Sequence, residues 1–223
     1  MMKGDDFMDI RIREPGSALT HFAGMLLAVF AAVPLLIKAA LDSGEVCFYA
    51  MGIFMGSMVL LYAASATYHS VNVPARILKI FRKVDHIMIF YLIAGTYTPV
   101  CLVTLPGTQG RLLLVAVWGI ALAGTLIKTL WISCPKWFSS VLYIAMGWAC
   151  LSVLGTLWNV LPLSAFLWLL AGGLLYTAGG VLYALKLPLF NARHKNFGSH
   201  EIFHLFVMAG SLCHFIFMFQ YVA

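Results

Sequence analysis

Acidic side chains are nearly missing from most of this sequence: beyond Glu45, a chain of 223 residues holds only Asp85 and Glu201. Charge of either sign is scarce, at 10% of residues against roughly 25% in soluble domains. Together with 62% hydrophobic residues and a mean hydropathy of +0.95, that excludes a water-soluble core, because a globule of this size has too little interior to hide so much apolar surface. The five cysteines (Cys47, Cys101, Cys134, Cys150 and Cys213) are odd in number, scattered and without CxxC spacing. A disulfide framework and a thiolate metal site are thereby excluded, and small apolar packing is the expected role. The sequence also lacks the alternating ten-residue segments of a membrane barrel, any low-complexity tract, any clear internal repeat and any soluble domain. The opening MMKGDDFMDIRIREPG mixes acids with bases, and no small-residue cleavage site follows it. The first apolar run is therefore expected to stay as anchor and insertion signal.

What is present is a series of apolar runs of the length a helix needs to cross roughly 30 Å of hydrocarbon at 1.5 Å per residue. A helix closes its own backbone hydrogen bonds, which lipid cannot do for it. Spans are predicted at 17–40, 45–69, 85–105, 111–132, 137–158, 163–186 and 199–222, separated by LDSGE, NVPARILKIFRK, LPGTQGR, SCPK, NVLPLS and KLPLFNARHKNFGS. Orientation follows from the cations. With a cytoplasmic N-terminus, inside segments collect twelve of the 14 Lys and Arg residues, among them Arg13, Arg76, Lys79, Arg82, Lys83, Lys128 and Lys136, and only Lys38 and Arg111 fall outside. The expected fold is an all-α bundle of seven transmembrane helices, N-terminus cytoplasmic and C-terminus outside, with residues 1–16 a short cytoplasmic segment and 17–223 a single membrane domain. The net charge of +6 then reflects topology and anionic lipid headgroups; membrane lipids are the expected partners, and a nucleic-acid partner is excluded by the lack of a folded basic domain. Gly52, Gly56, Gly172, Gly173, Gly179 and Gly180 are expected to permit close helix packing, and Trp131, Trp137 and Trp158 to sit in interfacial belts.

Ionisable groups inside membrane segments are costly unless paired or liganded, so the few present mark a site. The second span ends in SATYHS, placing Ser65 and His69 at i and i+4 on one helix face; the third opens KVDH with Asp85 and His86; the seventh opens SHEIFH with His200 and His204, again at i and i+4. All three pieces lie at one membrane depth. A bundle that joins them gathers three imidazoles, a carboxylate and a hydroxyl, which suits a zinc ion with one open position better than an oxygen-seeking Ca²⁺ or Mg²⁺. Asp85 is then placed to bind or orient water on the metal, and Ser65 to act beside it or stabilise an oxyanion. HEIFH also matches the H-E-x-x-H of zinc proteases, but Glu201 occupies the first turn of its helix, after the N-cap candidate Ser199, where the dipole favours an acid without any chemistry. That reading leaves Ser65, His69 and Asp85 without a role. His21 lies at the right depth to join the cluster or to bond a neighbouring helix. His214, roughly 15 Å deeper than His204, is expected to be a packing histidine, and His194 a solvated one.

SATYH, KVDHIMIFYLIAGTYTP and HEIFHLFVMAGSLCHF, in that order, resemble the haemolysin III family, the bacterial branch of the progestin and adipoQ receptor family, from about SALTHFAG to the C-terminus. The resemblance implies seven helices in a bacterial inner membrane, Zn²⁺ held by His69, His200 and His204, a water held by Asp85, and Ser65 close by; it assigns Glu201 no role. The resemblance implies a role in membrane lipid homeostasis, and by analogy with the alkaline ceramidases of the wider superfamily it suggests attack of zinc-activated water on a lipid amide or ester, with Asp85 as base. Two alternatives stand: a pore-forming haemolysin, against which no span shows a repeated polar face, and a receptor or sensor with structural zinc.

Overall fold

The computed structural model describes residues 12–105, 107–131, 136–185 and 197–223, and all regular structure among them is helical. The helices are α1 (Pro15–Lys38), α2 (Gly44–Ser70), α3 (Ala75–Pro99), α4 (Thr108–Leu130), α5 (Lys136–Gly147), α6 (Leu154–Val160), α7 (Leu163–Leu185) and α8 (Ser199–Phe217). Six helical stretches among the described residues are long and apolar enough to cross a membrane, and the first, Pro15–Ser70, runs for 56 residues. That stretch does not run straight. Its turns widen over Ala39–Ser43, and Gly44 then takes φ 80°, a conformation that costs glycine nothing and other residues much. The chain folds back there, so that α2 packs along α1 and the Glu14 N–H donates to the His69 carbonyl at 3.0 Å. The 24-residue α1 and 27-residue α2 are thus two membrane-length arms of one hairpin.

Helix α2 also packs on α3, α3 on α4, α7 on α8, and α8 on α1. The bundle has an order of ends: Glu14 meets the end of α2, whereas Lys38, at the far end of α1, donates to the carbonyl of Ala223. Met51, Phe54, Phe90 and Phe217 are fully buried between helices, while Leu19, Phe30, Val115 and Leu126 are among many large apolar side chains facing outwards. An apolar exterior is stable only in lipid.

Two expectations change. The separator NVPARILKIFRK, residues 72–83, is a loop only as far as Pro74: helix α3 begins at Ala75 and carries Arg76, Lys79, Arg82 and Lys83 on its first turns. Hydropathy assigns such a segment to the loops, but ARILKIFRKVD contains no breaker, Pro74 starts a helix well, and long cationic side chains reach the headgroups from a helix as readily as from a loop. The fifth span is also interrupted, with tight 3₁₀ turns over Trp148–Val153 between α5 and α6. Backbone groups at that break are met by one phenol: Tyr97 Oη donates to the Gly147 carbonyl at 2.7 Å and accepts from the Cys150 N–H at 2.9 Å.

Of the six glycines expected at helix contacts, Gly172 and Gly179 are tightly packed, against His214 and Phe206, while Gly52, Gly56, Gly173 and Gly180 have no neighbour where a Cβ would sit. Spacing by seven puts Gly172 and Gly179 on the face of α7 that meets α8; the others point elsewhere. A closer approach is at Gly124, where a Cβ would stand 2.4 Å from the Phe90 ring. Gly124→Val is expected to lower thermal stability in detergent by about 1–3 kcal/mol through overpacking, measured as an earlier melt, with Gly119→Val, in open space, as the control that changes little. The described cysteines Cys47, Cys101, Cys150 and Cys213 are free thiols. Trp131 and Trp158 are exposed near helix ends, as expected of an interfacial belt; Cys134, His194 and the Trp137 side chain fall outside the described residues.

Candidate metal centre

The last turn of α2 supplies His69, and the first turns of α8 supply His200 and His204 from one helix face. Their candidate ligand atoms all lie within 4.8 Å of one another. His69 and His204 are 2% and 1% exposed, and the Nε2 atoms of His69 and His200 stand 3.1 Å apart. Two nitrogens bound to one tetrahedral zinc at 2.0–2.1 Å are separated by about 3.3 Å, so this spacing fits a shared ion.

The ring nitrogens on the far sides have partners that determine the tautomers. His69 Nδ1 faces Oε2 of Glu14, a carboxylate that only accepts, so Nδ1 carries the proton. His204 Nδ1 lies 3.0 Å from Oγ1 of Thr20, which already donates its own proton to the Ser17 carbonyl at 2.9 Å. Thr20 must therefore accept from His204. Both imidazoles consequently turn an Nε2 lone pair inwards, the form a metal requires. His21 stacks on His204, ring centres 3.5 Å apart and planes 8° from parallel, and neither of its nitrogens has a hydrogen-bond partner among the described residues.

Asp85, on α3, meets the Ser65 side chain of α2. Its Oδ2 lies 3.5 Å from His86 Nδ1, which is also 2.6 Å from the Arg82 carbonyl. Asp85 and His86 stand apart from the three-histidine group, yet Asp85, His69, His200 and His204 line one cavity of about 890 Å³. The same cavity is walled further in by Leu61, Ile93, Leu113, Leu157 and Val207, and reaches His214. His214 is buried, with its ring against Tyr176, a packing position as expected.

Glu201 is turned to other work. Its Oε1 accepts from Ser17 and its Oε2 from the Gly198 N–H at 2.7 Å, so it closes the start of α8 and does not face the nitrogens. The N-cap is Gly198, one residue earlier than the Ser199 that the sequence suggested. H-E-x-x-H geometry is present here without the protease's base.

Sequence reasoning missed Glu14, because residues up to 16 read as a segment outside the bundle, and it missed Ser17 and Thr20, which read only as the start of the first span. The signal was there in EPGSALTH, where polar residues recur at 14, 17, 20 and 21, a helical spacing.

Profile comparison matches residues 10–215 to the family described as Haemolysin-III related. The chain belongs to the haemolysin III family. Hemolysin-3 of Bacillus cereus is 35% identical over 209 residues, covering 94% of this chain and 91% of that protein. The Hemolysin-3 homolog of Bacillus subtilis (strain 168) is 37% identical over 202 residues, 91% of each. A shorter likeness, 35% over 79 residues, covers 34% of this chain and 24% of the ADIPOR-like receptor IZH2 of Saccharomyces cerevisiae. No solved structure matches. The family resemblance carried by SATYH, KVDH and HEIFH is borne out, and the residues of the candidate centre, from Glu14 to His204, lie within the matched region.

Proposed function

We propose that this protein is a zinc-dependent hydrolase of lipid amides or esters, with seven spans and its site on the cytoplasmic side of a bacterial plasma membrane. The observation that carries the reading is the convergence of three imidazoles within 4.8 Å of one another on a mostly apolar cavity of about 890 Å³ whose wall also holds Asp85. A polar end beside an apolar chamber inside a bilayer suits an amphiphile whose reacting group sits at the headgroup level. The all-nitrogen ligand set suits zinc. When bound, zinc would supply Lewis acidity and make water a stronger acid.

The chain's own residues do the rest. Asp85 accepts the proton of the attacking water and returns it to the leaving group. Ser65, touching Asp85, orients that carboxyl, which favours a supporting role over direct contact with an oxyanion. Cytoplasmic placement is supported by Lys79, Arg82, Lys83 and Lys128 around the histidine end of the cavity, and bacterial relatives support the membrane assigned. In intact cells of a cysteine-free background, Asp42→Cys is expected to react with an impermeant maleimide and Arg76→Cys only after permeabilisation; the reverse pattern overturns the orientation.

The function is tested by assaying zinc content and turnover of a panel of lipid amides and esters in one detergent preparation. About one zinc per chain with zinc-dependent release of fatty acid supports it. Zinc without turnover of any substrate supports a receptor with structural metal instead. The relatives' printed name, Hemolysin-3, supports a second reading, membrane lysis; lysis by a pore predicts dye leakage from liposomes that survives removal of the metal.

A further inference from the structure

We infer that Glu14 and Thr20, at the start of α1, are positioning residues for the metal centre, each holding one buried imidazole by its Nδ1 atom. The inference rests on the metal reading above and extends it to residues that donate nothing to the metal themselves.

His69 and His204 come from different helices, and each would rotate about its side-chain bonds unless its second nitrogen were held. Glu14 meets Nδ1 of His69, and Thr20 meets Nδ1 of His204 at 3.0 Å. Both partners are themselves fixed. Arg13 Nη2 lies 3.1 Å from Glu14 Oε2, donates to the Tyr68 carbonyl at 2.9 Å, and its guanidinium covers the Tyr68 ring at 4.4 Å. Thr20 is held by its bond to the Ser17 carbonyl. A carboxylate or hydroxyl on the outer nitrogen fixes the tautomer and the ring plane and raises the basicity of the inner nitrogen, effects that cost 10–100-fold in metal affinity when lost elsewhere.

Docking of α1 has separate means. The Arg13 and Glu14 N–H groups bond the Ser70 and His69 carbonyls at 3.4 and 3.0 Å, and Ser17 bonds Glu201 on α8. None of these contacts a ligand nitrogen, so side-chain orientation and helix docking are separable by mutation.

The test is zinc affinity, measured by competition with a chromogenic chelator on the full-length protein in detergent. Glu14→Ala and Thr20→Val are expected to weaken binding by about 10–100-fold. Glu14→Gln should fall between Glu14→Ala and wild type, because its amide oxygen still accepts from Nδ1–H but without charge, and Thr20→Ser should restore wild-type affinity. Ser17→Ala, which loosens α1 without touching a ligand, should stay within about twofold. Should Glu14→Ala fail to fold, Glu14→Gln and Thr20→Val decide the matter. Affinities of these variants within about twofold of wild type overturn the inference, and so does a Ser17→Ala loss as large as theirs. Metal-free wild type, or His204→Ala that keeps its zinc, sinks the metal reading itself and is distinguishable from either.

Discussion

Replacing His204 by alanine is expected to yield protein that folds in detergent but retains no stoichiometric zinc after dialysis, against about one ion per wild-type chain. His204 is 1% exposed and is one of the three histidines whose candidate ligand atoms converge within 4.8 Å among the described residues, so its removal leaves that group with two. If zinc binding is worth about 10–16 kcal/mol over a full ligand set, one of several ligands carries roughly 3–4 kcal/mol, a loss of 10²–10³ in affinity. The second readout is thermal. Zinc present at about 100 times its Kd adds about 2.7 kcal/mol to the native state, so a strong chelator should lower the wild-type melting temperature by several degrees while leaving that of His204→Ala unmoved. A wild-type melt indifferent to the chelator, with metal content near zero, would remove the metal from the account of this protein.

Asp85→Asn is expected to lower lipid turnover by about 10²–10⁴ while zinc content stays at the wild-type level. The substitution keeps the shape of the side chain and its ability to meet Ser65, and removes only the capacity to take a proton. Asp85 is not part of the group whose atoms converge within 4.8 Å, so its loss should leave metal content alone. A variant that loses zinc as well would make Asp85 a ligand and not a base; undiminished turnover would leave the acid–base role with another group. Ser65→Ala should show a smaller loss, since it disturbs the orientation of Asp85 without removing it.

Much of this site was legible in one dimension because lipid makes polar residues expensive. His69, His200 and His204 stood out through i, i+4 spacing at span ends, and Asp85 through the scarcity of acids. The six apolar stretches were legible for the same reason. What hydropathy misread were charged residues within helices: the basic start of α3 passed for a loop, because a window average cannot distinguish a cationic helix at the interface from a solvated turn. The interruption at Trp148–Val153 left no trace at all, since its backbone is satisfied by Tyr97, a residue about 50 positions earlier.

By itself, then, the sequence determined the medium, the helical class, the approximate spans and the identity of the three nitrogens, each of which depends on local composition and on the period of one helix. Only the tertiary structure decided how those nitrogens are used. It put Glu14 on His69 and Thr20 on His204, turned Glu201 away to Ser17, and set Asp85 against Ser65 on the wall of a shared cavity. Those pairings join α1 to α2 and α8, and α2 to α3, and side-chain contacts between helices far apart in the chain have no period from which to be read.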